Sequence, residues 1–249
     1  MERSRAECDT RTSHCHRNWE NACLGKPPIS DAAMRKMYET MKALRSAKRE
    51  TTTWTGVARN AKASAVAEPE SLLAGILSQL HRRDTVVTSG ELPLLKTAIE
   101  SYFPVSVASL HTVTCNGSTE ECASVAAGIA LRSMDATRDP KPVTITLLQD
   151  FPSLTGTLKL MESHDLPLLV IAKSEAEPRA ITEKRMKSTQ IPILPVDAAD
   201  AIAVCRVMQE SLLRARNGWG GSVIHAIAVP GASDSVAGME ERLGARGLL

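Results

Sequence analysis

Apolar positions change period several times along the chain, and each change marks an element. After Lys26-Pro27-Pro28, the residues Met34, Met37, Tyr38, Met41 and Leu44 recur at helical spacing, with Arg35, Lys36, Lys42 and Arg45 on the flank. Ser30 or Asp31 can cap that helix. Residues 50–66, rich in Thr, Ala and Ser, read as a loop or weak helix. A second helix is predicted from Pro69 to Arg83, with Leu72, Leu73, Ile76, Leu77 and Leu80 on its buried face. A short β run follows at Thr85–Thr88, and helices are predicted over Glu91–Tyr102 and Glu121–Met134. In the last of these, Ala126-Ala127-Gly128 lets the helix lie close against a neighbour or a sheet.

The second half alternates more plainly. Val143–Leu148, Leu168–Ala172, Ile193–Val196 and Val223–Ala228 are short apolar runs rich in β-branched residues, the pattern of strands covered on both faces. Helical patterns separate them at Leu154–His164, Ala176–Lys187 and Ala198–Arg216. Strands alternating with helices predict an α/β fold, a Rossmann-like parallel sheet flanked by helices. Ligands on such sheets sit at the carboxyl ends of the strands, so the loops after Leu148, Ala172 and Val196 are the first places to look for a site.

Composition narrows the picture. The 249 residues fit one large domain, read as residues 29–249, or else two small ones, behind a polar tail of residues 1–28 without apolar periodicity. That tail carries Cys8, His14, Cys15, His16 and Cys23, which are zinc-type ligands, but without a Cys-x-x-Cys pair; a disordered leader is the other reading. A net charge of +2 argues against a nucleic-acid partner, and an aromatic content of 3% argues against base stacking. No apolar run reaches membrane-spanning length and no signal core follows Met1–Ala6. Six cysteines in so long a chain make no disulfide framework, which points to a reducing cytoplasm. No Gly-x-Gly-x-x-Gly follows a strand, and neither a Walker loop nor a Gly-x-Ser-x-Gly elbow is present. Gly218-Trp219-Gly220-Gly221 precedes a strand instead of opening a helix, so a turn is expected there and not a phosphate loop.

The order of segments resembles a known family. Val143-Thr144-Ile145-Thr146-Leu147-Leu148-Gln149-Asp150-Phe151-Pro152 is followed by a helix. Then comes Asp165-Leu166-Pro167-Leu168-Leu169-Val170-Ile171-Ala172-Lys173-Ser174-Glu175, and later Ile191-Pro192-Ile193-Leu194-Pro195-Val196-Asp197-Ala198-Ala199-Asp200. This succession resembles the alpha subunit of the first, thiamine diphosphate-dependent component of 2-oxo acid dehydrogenases of the pyruvate, branched-chain and acetoin types. In that family a strand ending in Gly-Asp-Gly is followed by a Leu-Pro turn and a strand ending in Glu-Asn-Asn. The first half is similar more faintly, in Met37–Arg45, in Ser124–Leu131 and, at the chain's end, in Met239–Leu249.

The resemblance implies the thiamine diphosphate-binding fold and a cofactor pair of thiamine diphosphate and Mg²⁺. Mg²⁺ takes oxygen ligands. Asp150 stands at the family's Asp and Glu175 at its second Asn, so these two are the implied metal and cofactor ligands. The motif is degenerate around them. Gln149 and Phe151 replace the two glycines, and Pro152 removes an amide donor. Thr88-Ser89-Gly90-Glu91 stands where a Tyr-Arg pair would hold the diphosphate, and the Gly-rich, His-containing loop that the family places before residue 115 is missing or very short, with His111 the only candidate nearby. Read from the residues alone, Asp150 serves equally as a helix cap, Glu175 and His111 as solvated loop residues, and the charges of Arg179–Lys187 as a solvated face. Two functions follow from the resemblance. One is an alpha-subunit-like component acting in oxidative decarboxylation with a beta-subunit-like protein or with itself, the cofactor doing the carbanion chemistry. The other is a non-catalytic relative acting as an assembly or regulatory partner. A third reading, an unrelated Rossmann-like binding domain, is distinguished by sheet order.

Overall fold

The computed structural model describes residues 29–54, 70–90, 93–103, 110–135, 140–148, 154–174, 189–228 and 234–249. Its thirteen described elements are α1 (Asp31–Trp54), α2 (Glu70–Leu77), β1 (Thr85–Ser89), α3 (Pro93–Tyr102), β2 (His111–Cys115), α4 (Thr119–Ser133), β3 (Thr144–Leu148), α5 (Thr155–His164), β4 (Leu168–Ser174), β5 (Ile193–Asp197), α6 (Ala201–Arg216), β6 (Ser222–Ile227) and α7 (Ser235–Gly244). The strands form one parallel sheet in the order β2-β1-β3-β4-β6-β5. β3 and β4 are buried along almost their whole length, as their unbroken apolar runs demand.

Alternation along each strand divides the core in two. Val86, Ile145, Leu147, Leu169, Ile171 and Ile224 face α2, α3 and α6. Val87, Leu148, Val170, Ala172, Ile193 and Val223 face α4 and α5. On the first face a further layer covers the helices: Met34, Met37 and Met41 of α1 and Met239 and Leu243 of α7 pack with Ala74 and Cys205. Contact between α2 and α6 is close at Gly75, where an added Cβ would stand 2.7 Å from Val204 Cγ1 and 2.9 Å from the Ala201 carbonyl. On the second face α4 turns Cys122, Ala123, Ala126, Ala127 and Ala130 inward, so small side chains bring that helix down onto the sheet. Gly128 stays on its outer side, with nothing within 4 Å of where a Cβ would be.

Four crossovers are described. α3 and α6 carry the chain one way across the sheet over the first face, and α4 and α5 carry it the other way over the second. All four therefore share one hand, as the handedness rule for parallel units requires. β1 and β3 are neighbours whose exits go to opposite faces, which makes the crevice between them a topological switch point.

Several element boundaries differ from those the pattern predicts, each for a local reason. α1 runs on to Trp54, beyond the apolar stripe. α2 ends at Leu77 instead of Arg83, because residues 78–84 fold into turns closed by Asp84. β2 is a strand the pattern does not flag: it lies at the sheet edge, its residues are largely exposed, and His111-Thr112-Val113-Thr114-Cys115 has little apolar content. α4 begins two residues earlier than Glu121, where Ser118 and Glu121 form a reciprocal capping box. The Gly218–Gly221 segment is a turn, with Gly218 and Gly220 at φ 75° and 77°. Gly221 presses against the Leu168 carbonyl, where a Cβ would overlap it. The Pro69 start of the second helix and the helix predicted at Ala176–Lys187 lie outside the described residues.

Candidate functional site

The carboxyl end of the sheet is where a ligand of this architecture would sit. At the β1–β3 switch point, Ser89 Oγ lies 3.5 Å from the Leu147 carbonyl, and Thr88 Oγ1 donates to the Gly90 carbonyl at 2.9 Å. Gly90 turns the chain with φ 81°, and its N–H reaches the Cys115 carbonyl at the end of β2. The Thr88-Ser89-Gly90 segment thus uses both hydroxyls on main-chain carbonyls. His111 is not part of this end: it opens β2, exposed, at the amino end of the sheet.

Asp150 and Glu175, the two carboxylates expected to hold a metal, lie outside the described residues, as do Gln149, Phe151, Pro152, the Arg179–Lys187 segment and the Cys/His tail. What is described is the frame they leave from. β3 and β4 pair through Leu148↔Ala172, so the last residues of these strands are neighbours at one end of the sheet. Among the described residues no group of three or more His, Cys, Asp or Glu side chains could hold a metal ion.

Next along the sheet, register creates a pair that sequence alone does not reveal. Ser174 on β4 and His225 on β6 are 51 positions apart, yet Ser174 Oγ and His225 Nε2 are 2.6 Å apart. Ala172 is the register partner of His225, and Ser174 stands two residues further along the same face. His225 is buried and Ser174 half-buried. A hydroxyl on an imidazole nitrogen can pass a proton or simply satisfy a buried ring, and the direction of the bond follows the tautomer. Lys173, between Ala172 and Ser174, is buried on the opposite face of the sheet.

The loop after β5, the third place the sequence nominates, is structural. Asp197 Oδ1 accepts the Ala199 N–H at 2.8 Å. Asp200 caps α6 through the amides of Ile202 and Ala203, at 2.9 and 3.1 Å, and holds Arg242 of α7 through both oxygens, at 2.8 and 2.6 Å. Burial pushes the Asp200 carboxyl up, but the Arg242 guanidinium and the two cap amides outweigh it and hold the group below the ordinary carboxylate value. At the other rim, burial raises the Cys122 thiol to about 11, with Cys115 beside it adding to the effect. Cys122 is therefore a protonated thiol at neutral pH and no nucleophile.

No family model and no curated protein matches this chain. The described cysteines, Cys115, Cys122 and Cys205, are free, and among the described residues no helix is long and apolar enough to cross a membrane.

Proposed function

We propose that this chain is an alpha-subunit-like component of a thiamine diphosphate-dependent 2-oxo acid dehydrogenase, working in the cytoplasm with a beta-subunit-like chain or a second copy of itself. The observation that carries the reading is the register of β3 on β4. Asp150 is two residues beyond Leu148, and Glu175 is one beyond Ser174. The strands these two residues follow in sequence, β3 and β4, are register neighbours at the carboxyl end of the sheet, where ligands of this architecture sit. Carboxylates are oxygen donors of the kind Mg²⁺ prefers. The sheet order separates the chain from two common doubly wound folds. It is not the 3-2-1-4-5-6 order of the dinucleotide-binding fold, and it departs from the flavodoxin-like order by placing β6 between β4 and β5. Bound cofactor supplies the carbanion chemistry, and this chain's part is to hold the metal and the diphosphate.

A second reading, a non-catalytic relative that keeps the fold as an assembly or regulatory partner, is favoured by the crevice itself. Thr88 and Ser89 use their hydroxyls on carbonyls where the family keeps a diphosphate-binding pair. Calorimetric titration with thiamine diphosphate and Mg²⁺ separates the two. Micromolar binding lost in Asp150→Ala supports the first. Absence of heat from folded protein, both alone and with a candidate beta-type chain, sinks it and leaves the second.

A further inference from the structure

Two thiols lie side by side at the carboxyl end of the sheet, and the thiamine diphosphate reading uses neither. Cys115 closes β2, and Cys122 stands in the first turn of α4, seven positions on. Both side chains belong to the second face. Cys122 is fully buried in that core, and the half-buried Cys115 packs against it together with Val113. The Cys122 thiol donates to the Cys115 carbonyl at 3.5 Å and reaches the Gly117 carbonyl at 3.9 Å. The Cys115 side chain is a hydrogen-bond neighbour of the same sulfur; burial first, and that neighbour second, push the Cys122 thiol up to about 11.

The backbone holds both residues in place. The Cys115 carbonyl also accepts the Gly90 N–H at 2.9 Å, which ties the end of β2 to the turn after β1. The segment between the two cysteines is fastened by the capping box: the Ser118 N–H meets the Glu121 carboxylate at 2.6 Å and the Glu121 N–H meets Ser118 Oγ at 3.3 Å. The Cys122 N–H reaches the Ser118 carbonyl at 3.0 Å. Cys205 supplies the contrast. It is buried in the outer layer of the first face, Gln79 Nε2 lies 3.2 Å from its sulfur, and among the described residues no second cysteine shares its cluster.

We propose that Cys115 and Cys122 close a reversible disulfide that pins the edge strand β2 to α4, with a small-molecule disulfide of the glutathione type as the oxidant. Cys115, the more exposed sulfur, attacks the small disulfide as its thiolate; one small thiolate leaves, and a mixed disulfide stays on Cys115. Cys122, protonated at neutral pH, completes the exchange instead of starting it. Its proton passes to the thiolate released in the first step, its sulfur attacks the Cys115 sulfur, and the second small thiolate leaves. The chain gives up two electrons and two protons, and the small disulfide takes them as two thiols. Because Cys122 holds its proton tightly, the second step is the slower one and the mixed disulfide precedes the bond. In a reducing compartment a bond of this kind is transient and acts as a sensor. None of this depends on what Asp150 or Glu175 hold.

The test uses the full, folded chain incubated with oxidised glutathione, then denatured in an alkylating reagent, digested and mapped by mass spectrometry. It compares wild type, Cys122→Ala, and a variant carrying Cys8→Ser, Cys15→Ser and Cys23→Ser together. The expected product in wild type and in the tail variant is a Cys115–Cys122 linkage, two hydrogens lighter than the dithiol and released by dithiothreitol, with Cys205 still alkylated. In Cys122→Ala glutathione should remain on Cys115, since no sulfur displaces it. Amide hydrogen exchange over β2 should slow in the oxidised wild-type chain. Glutathione retained on Cys115 in wild type, Cys115 joined to any cysteine other than Cys122, or Cys115 left as a free thiol in the folded chain would each overturn the proposal. Unchanged exchange over β2 would overturn the pinning. The wild-type map decides the bond even should Cys122→Ala fail to fold.

Discussion

The two ends of the sheet are fastened differently. At the amino end, one buried ion pair ties distant segments together. Asp84 joins the start of β1 to the Val143 amide before β3, and Arg216 brings in the end of α6. At the carboxyl end the fastenings are smaller: the Ser174–His225 bond, the Ser118–Glu121 capping box and the Asp200–Arg242 pair. Their response to pH differs in sign. Burial raises the Asp84 carboxyl above its ordinary 3.8, with Arg216 and the two amides only partly offsetting it. The folded state then holds the extra proton, so stability falls as pH rises through the window above 3.8. Asp200, and Asp234, which caps α7 and pairs with Arg45 of α1, lie below 3.8, so what they contribute is complete above that value and is lost as pH falls through their folded values. The buried Arg216–Asp84 pair carries a desolvation cost that the more exposed Asp200–Arg242 pair largely escapes.

The contrast can be broken most forcefully at Asp84. Asp84→Ala leaves the largely buried Arg216 guanidinium and the amides of His81 and Val143 without their acceptor; chemical denaturation should show a loss of about 3–5 kcal/mol. At the other end, Ser174→Ala takes the hydroxyl from His225 and should cost about 1–2 kcal/mol in the same measurement. Ser118→Ala removes the cap of α4 and should cost about 1 kcal/mol. Smallest is the Arg242 pair. Asp200→Asn keeps the cap but loses the charge, so the deficit should be below about 1 kcal/mol at pH 7. That deficit should hold constant down to about pH 5 and shrink below the ordinary carboxylate range, as denaturation at a series of pH values would show. Should Ser174→Ala prove as damaging as Asp84→Ala, the contrast between the ends would not hold.

Much of this frame is legible in the sequence where one physical cause acts alone. Unbroken β-branched runs become β3 and β4 because both of their faces are covered, and the methionine stripe of α1 becomes an inner face because its period is helical. β2 is not legible, since an edge strand with one neighbour needs few apolar residues. The turn at His81–Asp84 reads as a continuing helix because Leu80 keeps the helical period. What ends the helix is a buried carboxylate whose partners, Val143 and Arg216, are 59 and 132 positions away. Ser174 and His225 are invisible for the same reason: no local pattern records that β4 pairs with β6. Asp150 and Glu175 lie outside the described residues, and the Asp197–Asp200 loop that the sequence also nominates is taken up by capping and by Arg242.

The placement of β6 between β4 and β5 has a consequence for the chain as it is synthesised. β4 is complete at Ser174 and β5 at Asp197, yet β4 lacks its second neighbour and β5 its only described one until residues 222–227 have emerged. For some fifty residues of translation, Leu168-Leu169-Val170-Ile171-Ala172 therefore presents an open, wholly apolar hydrogen-bonding edge of the kind that recruits foreign strands. That edge closes only when β6 arrives behind the Gly218–Gly221 turn.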